Sequence, residues 1–476
     1  MNTYKTIFKN TLATALSQVI TSILGFLLLI YIARYLGETE FGKYSFAVSF
    51  TLLFIIFQDL GISNFIVIEI ARRKEIASDY LTNALEIKTI SSVLVFGLIY
   101  LTINIMDYPP ETRHIVYLFG IYTILTYFAQ TFKSVFQAFE KMEYVAFITT
   151  SEKTILFLLA IYVLTSGFGL IELAYVHILT GAFSILLSYY ICFKKIEKPK
   201  ITTNLVLWKK LIVESIPFGL NTLFGMMFFK IDTVMLSVFQ NDADVGIYNA
   251  AYIPLLSLVG IISTMAISSL YPVMSRYFID SEESLTKITI LSSKYMAIIG
   301  FPICIGCFTL AKQFIELFYV NQYSDSVIAF RIISLYIPLR LVSSITGTHL
   351  TSINKQRLRT LSVALGSLFN IILNLILIPS LSYVGASIAT VLSEVFLYFL
   401  FIHYINRNYK KLELHNYYLK PLIASLLMGG LVYYLKDMNL FLLILLAIIV
   451  YFGILLVLRA FDHEDMNIVN QLVRRS

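Results

Sequence analysis

Two stretches of this chain carry no charged residue for the length of a bilayer crossing: Leu12 to Ala33, and Asn439 to Leu458. A helix rises about 1.5 Å per residue and the hydrocarbon core is roughly 30 Å thick, so about 20 apolar residues make one crossing. Similar runs recur throughout the 476 residues, of which 58% are hydrophobic and 14% charged. Soluble domains carry about 25% charged residues, and no soluble fold of this length hides so much apolar surface. The surplus must face lipid. Membrane-spanning strands are short and alternate polar with apolar residues, which these runs do not. The expectation is an all-α membrane protein of about fourteen transmembrane helices. They fall near residues 11–33, 42–60, 82–106, 114–138, 143–165, 171–193, 211–239, 245–273, 288–311, 326–350, 358–378, 381–405, 417–435 and 439–458. The first run follows Lys5 and Lys9 like a signal sequence. It is too long for one, and no A-x-A site follows it, so an uncleaved first helix is expected.

Loop charge sets the orientation. With the N-terminus in the cytoplasm, the inner segments hold 24 of the 36 lysines and arginines, in groups such as Arg72, Arg73, Lys74 and Lys355, Arg357, Arg359. The outer segments hold only Arg34, Lys43, Arg113, Lys312 and Lys436. This bias holds at every alternation, and a miscounted helix would invert it downstream. An even count of spans in the cell membrane, with both termini cytoplasmic, is therefore expected. The formal net charge of +7 is thus a matter of topology and needs no nucleic-acid partner. The loops are too short to fold into a soluble catalytic domain. The segment from Ile62 to Ile76 is amphipathic and suits the inner interface.

An internal repeat is visible. Phe41-Gly42-Lys43-Tyr44-Ser45-Phe46-Ala47 and Val245-Gly246-Ile247-Tyr248-Asn249-Ala250-Ala251 share the pattern apolar–Gly–x–Tyr–x–x–Ala, 204 residues apart. Weaker echoes join Gln137–Lys141 to Thr351–Lys355, and Gly167–Gly169 to Tyr383–Gly385. A repeat of six helices keeps its orientation, so the two copies are related by an axis along the membrane normal. The expected organisation is an N-lobe, 1–200, a C-lobe, 201–407, and two further helices with a cytoplasmic tail, 408–476.

A charge at bilayer depth costs roughly 2.5–3.5 kcal/mol on insertion scales, so such residues face a cavity or a partner. The deepest are Glu152, Lys153, Arg340 and Glu394. Shallower ones are Lys88, Lys133, Glu214, Lys230, Asp232, Lys294 and Arg331. Lys88 and Lys294 lie where snorkelling to the inner interface is cheap. Thr149 to Thr154 is polar all round at midspan, which excludes that helix from lipid. Two readings fit these charges. They are internal salt bridges, with Glu152 and Glu394 meeting Lys153 or Arg340 and Asp232 meeting Lys230, or they line a wet cavity whose cations suit an anionic cargo. Thr14, Gln18, Thr21 and Gly25 share one helix face, as do Asn221 and Gly225. Both stripes suit either cavity lining or small-residue packing. Pro217, Pro254, Pro272, Pro302 and Pro338 fall within spans and are candidate kinks.

Cys192, Cys304 and Cys307 lie in apolar runs, which argues against a disulfide framework or redox pair. The six histidines are scattered, which argues against a metal cluster. No metal, cofactor or catalytic residue is expected.

Arg34-Tyr-Leu-Gly37, Phe41-Gly-Lys-Tyr44 and Asp59-Leu-Gly61 closely resemble the start of the polysaccharide (Wzx-type) flippases. Asp232-Thr-Val-Met-Leu236, Val245–Ala251, Tyr271-Pro-Val-Met-Ser-Arg276 and Val384–Ala389 resemble that family's second half. The likeness runs from about residue 5 to 405. It implies membership of the multidrug/oligosaccharidyl-lipid/polysaccharide (MOP) exporter superfamily, with two six-helix lobes plus two accessory helices. It also implies flipping of a polyprenyl-diphosphate-linked oligosaccharide from inner to outer leaflet for surface polysaccharide synthesis. Arg34 and Asp232 sit in matching motifs; Lys153, Arg340, Lys133 and Lys230 join the binding set as intramembrane cations. Glu152, Asp232, Glu394 and Asp59 are the candidate ion-coupling or charge-partner acids. The expected partners are the lipid-linked glycan and membrane lipids, with the protein a monomer beside polysaccharide assembly proteins. Rival readings are a multidrug antiporter of the same superfamily, a peptidoglycan-precursor flippase, and a membrane-embedded sugar polymerase or glycosyltransferase.

Overall fold

Wherever the sequence is apolar for a crossing length, the chain is helical. The computed structural model describes residues 3–196 and 203–461, with the side chains of residues 3–9 and 11–13 excepted. Lys198, Lys200, Arg474, Arg475, the side chains of Lys5 and Lys9, and the tail beyond 461 lie outside it. No strand occurs among the described residues.

The long helix Thr3–Phe54 is broken at Gly37, whose φ of 76° and ψ of 176° suit a residue without Cβ; its arms are α1 (3–36) and α2 (38–54). Then come α3 (Ala77–Ile105), α4 (Pro110–Ala138), α5 (Met142–Thr165), α6 (Leu170–Lys195), α7 (Leu205–Phe239), α8 (Asp242–Asp280), α9 (Glu282–Thr309) and α10 (Tyr336–Ser352). A second break, at Ser382 with φ 48°, divides Gln356–Asn408 into α11 (356–381) and α12 (383–408). The Ser382 hydroxyl donates to Asp244, 2.7 Å away, which anchors this strained residue. The chain ends in α13 (Leu419–Tyr434) and α14 (Leu440–Val457). The fourteen expected spans are therefore all helical.

Two details differ from the sequence reading. The expected span 326–350 is broken at Leu335 into Ser326–Ser334 and α10, and one extra short helix, Ala311–Tyr319, precedes it. And α7, α8 and α9 run on through Pro217, Pro254, Pro272 and Pro302, while Pro338 lies three residues after the break at Leu335, where its missing N–H leaves the Ser334 carbonyl without the donor a continuous helix would supply. The amphipathic segment forms the helix Ile62–Arg72. It buries Ile62, Phe65, Ile66 and Ile70 and leaves Asn64, Ile68 and Arg72 exposed.

The chain forms two compact units: Met1–Ala250 with Ile371–Tyr383, and Ala251–Asn370 with Val384–Ser476. In the first, the repeat glycines meet. A Cβ on Gly42 would lie 2.7 Å from the carbonyl carbon of Asp242, and one on Gly246 would lie 2.8 Å from that of Glu38. Glu38 and Asp242 are themselves 204 residues apart. A reciprocal contact of this kind is what a two-fold relation between copies produces.

Candidate translocation site

In the first unit the buried acids have partners on other helices. Glu152 of α5 is 5% exposed. It takes an ion pair from Lys133 of α4 at 3.2 Å and a hydrogen bond from the Ser184 hydroxyl of α6 at 2.7 Å. Asp59 pairs with Lys88 of α3, whose ammonium also donates to the Ser63 hydroxyl at 2.9 Å and the Tyr127 carbonyl at 3.1 Å. Lys88 is therefore fully buried, and Lys294 nearly so; neither snorkels. For Lys88 the reason is that Asp59, 29 residues earlier, supplies the counter-charge that water would otherwise supply. Asp232 of α7 is also buried. It accepts from the Tyr248 hydroxyl at 2.9 Å and the Asn374 side-chain amide at 2.6 Å.

Two lysines stand apart. Lys153 lies twelfth of the 24 residues of α5, at its midpoint. Consecutive helical residues point 100° apart, so it is aimed away from the Lys133–Glu152 pair instead of meeting Glu152. Lys230 of α7 is likewise aimed away from Asp232, two residues on. Both lysines are half-buried, and neither has an ion-pair or hydrogen-bond partner among the described residues. Burial without a counter-charge is costly, so these ammoniums need water or an anion.

The small-residue stripes do not pack. Cβ atoms on Gly25 and Gly225 would meet nothing within 4 Å, and Thr14, Gln18 and Asn221 are exposed, with Thr21 half-buried. The α1 face that does pack is the neighbouring one, where the Ser17 hydroxyl meets that of Thr150 at 3.0 Å and the Ala146 carbonyl at 3.3 Å. Arg34 is exposed, three residues before the Gly37 break.

In the second unit Arg340 of α10 approaches Glu394 of α12 at 3.7 Å, beyond hydrogen-bond reach. Glu394 is fully buried, and neither of its oxygens is hydrogen-bonded. The Arg340 side chain keeps 26% exposure. Arg359, fourth residue of α11, donates to the Thr351 hydroxyl at 3.1 Å and is near enough to repel Arg340. The sequence reading counted Arg359 among loop charges and so missed it. Nothing in the sequence set it apart from them; the fold does, by bringing α11 to Gly347, where a Cβ would lie 3.5 Å from the Arg359 Nε. The three cysteines are buried and free. No group of three metal-ligating side chains forms among the described residues.

This helical arrangement is the fold of the MOP exporter superfamily. It matches a solved structure of the lipid II flippase MurJ in an inward closed conformation, with TM-score 0.76 over 94% of this chain and 98% of that one, at 16% identity. An inward-facing multidrug resistance MATE family transporter matches with TM-score 0.63 over 83% and 98%, at 15% identity. Residues 7–278 match the polysaccharide biosynthesis protein family, and the chain belongs to that family. Among its relatives are the uncharacterized membrane protein MJ1068 of Methanocaldococcus jannaschii and the probable low-salt glycan biosynthesis flippase Agl15 of Haloferax volcanii. The first is 23% identical over 63% of this chain and 61% of its own length; the second is 24% identical over 48% and 49%. The chain thus spans about half to two thirds of the curated relatives it matches.

Proposed function

We propose that this protein flips a polyprenyl-diphosphate-linked oligosaccharide from the inner to the outer leaflet of the cell membrane by alternating access of two lobes, 1–200 and 201–407. Helices α13 and α14 are accessory, and both termini are cytoplasmic. The observation that carries this reading is the pair of half-buried, acid-free ammoniums Lys153 and Lys230 at membrane depth, in a chain whose family serves polysaccharide biosynthesis. A diphosphate supplies the counter-charge they lack. Arg340, with its long contact to Glu394, and Arg34 complete the binding set, and Lys133 acts by neutralising Glu152. Asp232, Glu394, Asp59 and Glu152 are the groups through which an ion gradient would drive the cycle, Glu394 foremost because its oxygens lack hydrogen bonds. A cation antiporter would need acids open to its cargo, whereas Asp59 and Glu152 are each bonded to a lysine.

The test is a strain whose only copy carries Lys153→Ala or Arg340→Ala at normal protein level. A lost charge-assisted contact is worth about 1.5–3 kcal/mol, so export falls about tenfold or more and the lipid-linked glycan accumulates on the inner leaflet. Normal surface glycan with no accumulated precursor after deletion of the gene overturns the reading.

A further inference from the structure

The two tyrosines of the internal repeat are used differently. Tyr248 is fully buried and spends its hydroxyl on Asp232 at 2.9 Å. Tyr44, 204 residues earlier, is half-buried, and its hydroxyl has no hydrogen-bond partner among the described residues. The same holds for Tyr122 of α4. Both rings close on His177 of α6, their centroids 5.8 Å and 5.1 Å from the imidazole, and Phe119 packs against it at 5.1 Å. Gly181, one turn on, makes room for this: a Cβ there would lie 3.2 Å from the Tyr122 ring.

His177 is 3% exposed. Its Nδ1 lies 2.9 Å from the Leu173 carbonyl, which can only accept, so Nδ1 carries a proton and in the neutral ring Nε2 is a bare acceptor. No donor among the described residues meets Nε2. A buried polar atom left unpaired is costly, and here unpartnered polar groups converge from α2, α4 and α6. Lys153 of α5 is near enough for its charge to act on the imidazole. Glu152 acts on it too, but its carboxylate is already held by Lys133 and Ser184. A phosphate suits the ammonium but not Nε2, whose lone pair repels phosphate oxygens. Nε2 needs a donor, the tyrosine hydroxyls give or take hydrogen bonds, and their rings offer apolar faces. A sugar supplies each complement: hydroxyl donors, hydroxyl oxygens and a C–H face. We infer that Tyr44, Tyr122 and His177 form a sugar subsite beside Lys153, where the first sugar of the glycan donates a hydroxyl hydrogen bond to His177 Nε2 while the diphosphate sits on the ammonium. This rests on the cargo proposed above and assigns the residues that recognise its sugar.

The experiment measures binding to the purified full-length protein in detergent by farnesyl diphosphate, and by farnesyl diphosphate bearing glucose, galactose or N-acetylglucosamine. At least one sugar-bearing probe binds about tenfold tighter than farnesyl diphosphate. His177→Phe keeps an aromatic ring among its neighbours but removes the acceptor; it abolishes that gain, and farnesyl diphosphate itself binds as before. Tyr44→Phe combined with Tyr122→Phe removes only unpartnered hydroxyls, so the protein folds, and the gain falls about threefold or more. If melting shows that His177→Phe does not fold, the double tyrosine variant decides. No gain for any sugar, or a gain kept in the deciding variant, overturns the subsite; the cargo reading then stands if Lys153→Ala weakens farnesyl diphosphate binding. Farnesyl diphosphate binding unchanged by Lys153→Ala overturns the cargo reading, while the sugar gain still decides the subsite. No binding of any probe overturns both.

Discussion

Replacing Gly246 with alanine tests the reciprocal helix contact most directly. The new Cβ would lie 2.8 Å from the Glu38 carbonyl carbon and overlap its oxygen, whereas ordinary contacts run 3.4–4 Å. The obstruction is backbone on both sides, so no side chain can rotate away. The start of α8 and the end of Glu38 must part by about an ångström, and overpacking of that size costs about 1–3 kcal/mol. By two-state arithmetic this shifts the equilibrium between closed and parted ends by roughly five- to 150-fold. Gly42→Ala acts on the same contact from the other copy. Once either alanine has separated the ends, the second meets less resistance, so the double variant costs clearly less than the two single effects added.

The assay is alkylation of Val245→Cys, a position fully buried in the native protein, after replacement of the three native cysteines. Both glycine variants speed labelling by a factor within that range, and the double variant adds little. Unchanged labelling and an unchanged melting temperature in both single variants would refute the reasoning, because a tight backbone contact cannot absorb a methyl group without response.

Glu152→Gln leaves Lys133 buried without its counter-charge and lowers stability by about 3–5 kcal/mol, read from thermal melting; Glu152→Leu with Lys133→Met regains most of that loss. A double variant no more stable than Glu152→Gln would contradict the pairing. The hydrogen bond from Lys210, 2.9 Å from Glu69 on the helix Ile62–Arg72, holds that carboxyl below its usual range, against the opposing effect of burial. Because the folded-state value is depressed, this stabilisation is fully present above the ordinary value of 4.5 and disappears as pH falls through the lower folded value. Melting curves of wild type and Lys210→Met should therefore differ most above that pH and converge in stronger acid. A constant difference down to the acid limit would show that the pair contributes through packing alone.

The spans were legible because lipid imposes a composition on any segment that crosses it, and Leu12–Ala33 or Asn439–Leu458 satisfies no other setting. Ala311–Tyr319 was not, because a nine-residue helix with Lys312 and Glu316 on one face and Ile315 and Tyr319 buried on the other resembles a loop in composition. The repeat glycines could be read as a pattern, but their purpose could not: only the fold brings Gly42 and Asp242 together. Pairing was the least legible feature. Glu152 sits beside Lys153 in sequence yet bonds to Lys133, because helical geometry separates neighbours by 100° and unites residues on adjacent helices. The same geometry divides Lys230 from Asp232.

That division carries the functional argument. Lys88 and Lys133 are each matched by an acid on another element, so within the membrane they are close to neutral, and an anion arriving beside them would gain little net attraction. Lys153 and Lys230 have no such acid among the described residues, and Arg340 keeps its acid at 3.7 Å. In the proposed reading, these are the intramembrane side chains that meet an anionic cargo. Their energetic state also depends on whether the cargo is there. On that reading, an empty site must hydrate them, and a filled one would exchange that water for phosphate oxygens. A site that is stable only when wet or occupied disfavours a dry, empty intermediate. Removing one of these charges should therefore affect movement of the cargo more than stability of the fold, the reverse of what removing Glu152 does.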